Sequence, residues 1–332
     1  MLHIHNGDST AGTLREFGFP GEHKAFQEVL MEGPSPGELP HDQFLRTRAR
    51  FLAEAYDLNT EQAEQDLLEQ QTWLRKFCEH DETILWFEHD LFCQVSLIYL
   101  LDWFSQRLSD QDKLSLICIG EFPGIDDFRG LGQLSGEQLA SLFDNRREVS
   151  KSEFSLASKA WAAYCSPTPE DILRLIESDS TAMPFLEGAL RLHLSRFPSR
   201  ANGLGRIENK ALDLISRGAV AFKSLFPRFA SEEPTYGLGD SQFWFALCRL
   251  ENATDPLITI SGLDTGDEGI KANKYLDASM ELTELGRDVL EGKRDAIEIN
   301  GIDNWLGGVH LVADKVWRWD EGNGTIKMQS DQ

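Results

Sequence analysis

Residues 83–119 constrain the fold more than any other stretch. Thr83-Ile84-Leu85-Trp86-Phe87 is apolar at successive positions, so as a strand it has no solvent face and must be covered on both sides, as parallel strands are. It runs directly into Glu88-His89-Asp90, then into a helical pattern from Leu91 to about Arg107. A second apolar strand, Leu114–Ile119, closes at Gly120. Strand, helix, strand at this spacing makes a parallel βαβ unit. Upstream, Leu2-His3-Ile4-His5 reads as another short strand ending at Asn6-Gly7-Asp8-Ser9, where Asp8 or Ser9 is placed to cap a helix through Leu14–Phe17. An extended piece at 25–30 stops at the breaker cluster Gly33-Pro34-Ser35-Pro36-Gly37. Helices are expected over 44–56 and 61–78. Residues 1–133 are therefore read as an α/β domain with a parallel sheet.

The spacing predicts helices over 136–143, 151–164, 170–176 and 184–197, a helical middle segment (134–199) packing on that domain. Beyond Pro198-Ser199-Arg200-Ala201-Asn202-Gly203 the pattern changes. Helices are expected at 206–216 and 241–250, a strand at 257–260, and a strand-then-helix unit over 275–290. Residues 305–311 and 316–319 read as a β-hairpin, and the tail from Glu321 as frayed. Residues 200–332 are thus expected to form a winged-helix-like α+β C-terminal domain.

Charge narrows the function. The 332-residue chain carries 55 Asp and Glu against 32 Lys and Arg, a formal −23. Such a surface repels phosphate backbones and anionic lipids, which disfavours nucleic-acid and membrane partners. The candidate recognition helix in the C-terminal domain, Asp240–Arg249, holds one basic residue and a large aromatic face, Phe243-Trp244-Phe245, suited to packing against protein. Five widely spaced cysteines without a CxxC pair suggest neither a disulfide framework nor structural zinc. The opening MLHIHNGDST lacks the basic start and apolar run of a signal peptide. The apolar stretch around 91–104 is interrupted by polar residues and predicts no membrane span. A cytoplasmic protein is expected.

In a parallel α/β sheet, ligands bind at the carboxyl ends of the strands. Three polar clusters should meet there: His5-Asn6-Gly7-Asp8-Ser9, then Glu88-His89-Asp90 with Gln94 one turn on, and Gly120-Glu121. Asp8, Glu88, His89 and Asp90 are the candidate catalytic groups, since carboxylates accept protons and histidine exchanges them near neutral pH. His5, Asn6, Gly7, Ser9, Gln94 and Arg50 are candidate ligand contacts; Arg46 and Arg50 share a helix face that suits an anion. Backbone N–H groups after Gly7 open a helix and favour phosphate or carboxylate. Capping alone would explain Asp8, Ser9 and Asp90 equally well. Gly7-Asp8-Ser9 resembles the start of a lipase GDS signature over three residues only. Gly130-Leu131-Gly132 begins a dinucleotide pattern without completing it, and there is no Walker A loop. His3 and His5 share a strand face but match no metal-ligand spacing, so no metal is assigned.

At these residues the chain resembles the bacterial DUF1835 family. The likeness rests on His5-Asn6-Gly7-Asp8-Ser9, Glu32-Gly33-Pro34 and Leu85 through Gln94. It extends to Gly239-Asp240 with Phe243-Trp244, Leu282-Thr283 with Leu285-Gly286-Arg287, and 300–311. The resemblance implies no particular activity, cofactor or catalytic residue. Two functional expectations follow from the residues: a site for a small anionic or phosphorylated molecule at the strand ends, or a regulatory or scaffolding protein acting through its C-terminal domain on a protein partner.

Overall fold

In the computed structural model, residues 1–178, 180–218, 220–263, 275–312 and 315–329 are described. The chain divides into two compact units, Met1–Arg191 with Gly307–Val309, and Leu192–Leu306 with His310–Gln332. The helical middle segment falls with the first unit up to Arg191.

The first unit is built on five strands: β1 (Leu2–His5), β2 (Glu22–Ala25), β4 (Thr83–Glu88), β5 (Leu114–Ile119) and β6 (Arg147–Glu148), in the order β2-β1-β4-β5-β6. A two-residue strand, β3 (Gly33–Pro34), lies between β2 and β4 in sequence. The first four strands of the sheet are parallel and β6 is antiparallel. From β1 the chain moves outward to β2, then returns to the opposite side of β1 to lay down β4. The direction of winding therefore reverses between β1 and β4, the place where open α/β sheets leave a crevice.

Central position explains the composition of β4. Ile84, Leu85, Trp86 and Phe87 are all wholly buried, and each such side chain contributes about 1.5–3 kcal/mol. Ile84 and Trp86 pack with Leu14 of α1 (Asp8–Phe17) and with Leu139 and Leu142 of the α5 helix, Gly136–Leu142. By strand alternation, Leu85 and Phe87 face the other side of the sheet. The other helices of the unit are α2 (His41–Tyr56), α3 (Thr60–Leu74), α4 (Leu91–Ser105), α6 (Lys151–Tyr164) and α7 (Glu170–Ile176), while α8 (Leu186–Leu194) crosses the boundary. Helix α4 is buried around nearly its whole circumference and packs on α6, which is why its sequence is apolar on every face. Among the described residues no helix is long and apolar enough to cross a membrane.

The segment between β2 and α2 is held by one buried cation. Arg48, fully buried on α2, pairs with Glu28 at 2.8 Å and donates to the carbonyls of Val29, Glu32 and Pro34. Its place on the helix is legible in hindsight: Phe44, Leu45, Ala49 and Leu52 surround it on the apolar face. The arginines expected to share a functional face behave differently. Arg46 is exposed and pairs with Glu64, and Arg50 is exposed.

The second unit contains α9 (Arg206–Ser216), α10 (Phe222–Glu232), α11 (Asp240–Glu251), then an antiparallel pair, β7 (Ile258–Ser261) and β8 (Ser279–Leu282). Ala221 forms an isolated bridge to Ser279, with Met280 N–H donating to Val220 O at 2.7 Å. After α12 (Glu284–Leu290) and α13 (Ala296–Asn300) come β9 (Asp303–Gly307), β10 (Val309–Val312), β11 (Trp317–Asp320) and β12 (Thr325–Met328). Two expectations change here. Residues 317–320 pair with 325–328 rather than with 305–311, and this pairing turns part of the expected frayed tail into a strand; 330–332 lie outside the described residues. The aromatic face of α11 is largely taken up within the unit: Phe243 is wholly buried against Phe229, and Trp244 stacks on Tyr275.

Removing Arg48 leaves Glu28 buried without its cation, the costly way to break a buried pair. Arg48→Met is expected to lower stability by about 3–5 kcal/mol in urea unfolding, whereas Arg50→Met, on the exposed face, should change it by less than about 0.5 kcal/mol.

Candidate functional site

β1 delivers the first group of side chains. After His5 the chain turns at Gly7, whose φ of +104° suits glycine and whose N–H donates to His5 O at 3.0 Å. Helix α1 then starts at Asp8 with no side chain capping it. The capping explanation for Asp8 and Ser9 thus fails: Asp8 accepts a hydrogen bond from the Gln27 side chain, and Ser9 is exposed, with its Oγ beside Gly132. Asn6 turns inward, its N–H donating to Trp86 O at 3.3 Å and its Nδ2 reaching Cys93 Sγ at 2.8 Å. Its Oδ1 is shielded from solvent with no hydrogen-bond partner.

β4 delivers the second group. Glu88 is its last residue, and Glu88 Oε1 accepts the Leu131 N–H at 2.7 Å. The fit is tight: a β-carbon at position 130 would come within 2.2 Å of Glu88 Oε2, so a larger residue there would require the Glu88 carboxylate to shift. Asp90 caps α4 as expected, accepting the Cys93 N–H at 2.8 Å. Gln94 donates to Glu88 O at 2.7 Å, fixing the turn from strand to helix, and the Cys118 thiol of β5 reaches the same carbonyl. His89 lies against Phe128 and Phe185, with a buried Nδ1 that has no hydrogen-bond partner.

The structure links Asn6 to Cys93, Ser9 to Gly132, and Glu88 to Gly130 and Leu131, so β1–α1 and β4–α4 meet through Cys93 and 130–132. Asp8, exposed, turns to Gln27, and among the described residues no hydrogen bond or ion pair joins it to Glu88 or Asp90. Arg50 is not joined to them: among the described residues no hydrogen bond or ion pair links it to the strand-end groups. Sequence reasoning missed Gly130, Leu131 and Cys93. Gly130-Leu131-Gly132 was legible as a glycine-flanked turn, but the carboxylate it serves lies 42 residues away in the chain.

Asp90 is 4% exposed and Glu88 half-buried, and among the described residues neither forms an ion pair. Burial, and then the neighbouring Asp90 charge, push Glu88 up to about 8. Burial also raises Asp90. Two carboxyls so close in a shielded place favour holding a proton between them. The Cys93 thiol is pushed well above its ordinary value by burial, then by the two carboxylates. Glu88, Asp90 and Cys93 each offer a donor atom within 4.8 Å of the others, and they are the residues here that could hold a cation.

His5 takes a different place from the one expected. With His3 and His23 it forms a stack under Trp86, both β1 rings fully buried. The hydrogen bonds fix the tautomers: His23 Nε2 donates to Phe19 O, so its Nδ1 accepts from His5 Nε2 at 3.0 Å. Trp86 Nε1 donates to His3 Nδ1, so His3 Nε2 donates to Pro20 O. Burial disfavours the charged form of all three rings. Burial, reinforced by the neighbouring rings, lowers His3 to about 4 and His5 to about 2, which removes His5 from proton exchange near neutral pH.

The second unit has a cleft of about 550 Å³ between the start of α9, the end of α11 and residues 296–304. Its polar lining is engaged within itself: Asn300 exchanges hydrogen bonds with the Asp255 backbone, and Arg249 lies 3.9 Å from Glu208. The convergent, cation-free carboxyls of the first unit are the stronger candidate. No family model and no curated protein matches the chain.

The two groups of shifted residues oppose each other with pH. His3 and His5 bind fewer protons folded than unfolded below their ordinary value of 6.5, so acidification from there favours unfolding, by about 3 kcal/mol for a shift the size of that at His3. Glu88 stabilises fully below its ordinary value of 4.5 and loses that contribution as pH rises through about 8. Urea unfolding across pH 4–9 should show both flanks, with His3→Gln flattening the acid one and Glu88→Gln the alkaline one.

Proposed function

We propose that the first unit belongs to a cytoplasmic bacterial protein of the kind its resemblance suggests, and that it binds a small anionic or phosphorylated molecule at the β1 and β4 strand ends. Hydrolysis is the reaction the same groups would serve. One observation carries the reading. At the reversal of winding between β1 and β4, two close carboxyls, Asp90 buried and Glu88 half-buried, form no ion pair among the described residues, and the Asn6–Cys93 contact ties their junction to a helix start that no side chain caps. Asp90 caps α4 and Glu88 holds the Leu131 N–H, but neither role needs the two carboxyls within reach of each other. The free N–H groups of the first turn of α1 suit a ligand oxygen. Glu88 and Asp90 would donate or take a proton at that ligand, and His89 lines the approach.

The test is a thermal-shift panel of phosphorylated and carboxylated metabolites. A compound that raises the melting temperature of the wild type should fail to do so with Glu88→Gln or Asp8→Asn. Gly130→Ala, which pushes against Glu88 Oε2, should weaken its binding at least tenfold. Undiminished binding in all three variants would move the site elsewhere.

The second unit favours a second reading through its element order. Helix α9, the Ala221 bridge, α10, α11, β7 and β8 follow one another as in a winged helix. With Asp240 and Glu251 against a single Arg249, α11 has little to offer a DNA phosphate, so a protein is the partner this reading calls for. A stable partner in pull-down, with no salt-dependent DNA shift and no metabolite response, would favour it over the first.

A further inference from the structure

We propose that Glu88, Asp90 and Cys93 form a binding site for one divalent transition-metal ion of the zinc class. Their donor atoms all lie within 4.8 Å of one another, and their positions are set by rigid elements: the last residue of β4, the cap of α4 and the third residue of that helix. Each carboxylate accepts one backbone N–H, Glu88 Oε1 from Leu131 and Asp90 Oδ1 from Cys93. Such outer donors orient ligands in metal sites. The Asn6 amide adds an independent sign. Its Nδ2 donates to Cys93 Sγ, and its Oδ1 is shielded from solvent without a hydrogen-bond partner.

The donor set defines the ion. A thiolate with two carboxylates suits Zn²⁺, Co²⁺ or Fe²⁺ and is a poor cage for Mg²⁺ or Ca²⁺, which take oxygen alone. Three protein ligands leave a fourth position for the Asn6 oxygen, water or a ligand atom. On binding, bonds from the ion to Cys93 Sγ and to one oxygen each of Glu88 and Asp90 replace three coordinated waters, and the Cys93 thiol proton and the proton held between the carboxyls pass to solvent. If the strand-end reading of the previous section holds, the ion also supplies the positive charge that an anionic ligand would otherwise lack beside Asp8, Glu88 and Asp90; that part rests on it.

The test uses metal alone, with no metabolite. Chelator-treated full-length protein is titrated with Co²⁺ and followed by the near-ultraviolet thiolate-to-cobalt band, with Zn²⁺ stoichiometry measured separately. The expected result is one ion per chain and a thiolate band. The band should be lost in Cys93→Ser, and affinity should fall at least tenfold in Glu88→Gln and Asp90→Asn. Asparagine caps a helix about as well as aspartate, so the last variant keeps the fold, as circular dichroism should verify. Cys78→Ser, at an exposed thiol, should change nothing. A folded wild type that takes up neither ion overturns the proposal, as does a band that survives Cys93→Ser or disappears with Cys78→Ser. Metabolite binding by a protein that takes up no metal leaves the strand-end reading standing while this one fails; metal uptake with no metabolite response does the reverse.

Discussion

Two carboxyl groups sharing a shielded place without a cation constrain more of the first unit than any other interaction. Taking a carboxylate out of water costs several kcal/mol unless hydrogen bonds or a partner offset it, and the backbone around Glu88 and Asp90 is arranged to do so. The start of α4 supplies the Cys93 N–H to Asp90, and the turn at 130–132 supplies the Leu131 N–H to Glu88. The turn comes close because residue 130 has no side chain to push against the Glu88 carboxylate. Leu131 then enters the same cluster as Ile84, Trp86, Leu139 and Leu142, so the loop after β5, the α5 helix and the central strand are tied to one polar junction.

The neighbouring strands β1 and β2 solve the same problem by neutrality. His3, His5 and His23 are as unwelcome when charged as the carboxyls are, and each is held neutral by a donor or acceptor of fixed direction. The stack lies beside the β1 end of the crevice. Its lowered proton affinity means that this wall does not gain charge in the neutral range, and the electrostatics of the strand ends are left to Asp8, Glu88 and Asp90.

How much of this is legible in the sequence depends on how local the cause is. Strands 2–5 and 114–119 and helices 151–164 and 206–216 follow from nearby pattern and turn residues, and the structure has them at those bounds. The helix over 222–232 does not, because Pro227 within it reads as a breaker although it sits in the helix. Strand 325–328 is polar enough to look frayed; its order comes from pairing with 317–320. At the site, Asp90 as a cap is a local reading that holds. That Asp8 and Ser9 cap nothing, that Arg48 rather than Arg46 or Arg50 is buried, and that residue 130 lies against Glu88 all depend on chain-distant neighbours. Alternation put His5 on the same strand face as His3 without saying that His23 would complete a neutral stack.

The acidity of the chain and an anionic ligand pull in opposite directions, and the strand ends show how both can hold. A formal −23 weakens long-range attraction for any anion, but recognition inside a crevice is decided by groups within a few ångströms, where burial outweighs the distant surface charge. There the carboxyl pair is free to carry a proton or a cation, and each choice changes the local charge by a unit or more without moving a backbone atom. A site of this kind is set by what occupies the carboxyls rather than by the net charge around it. For the same reason arginines, the usual anion receptors, are not needed at the strand ends: the one buried arginine of α2 is committed to Glu28 and three carbonyls, and its work is to hold the segment before α2 in place.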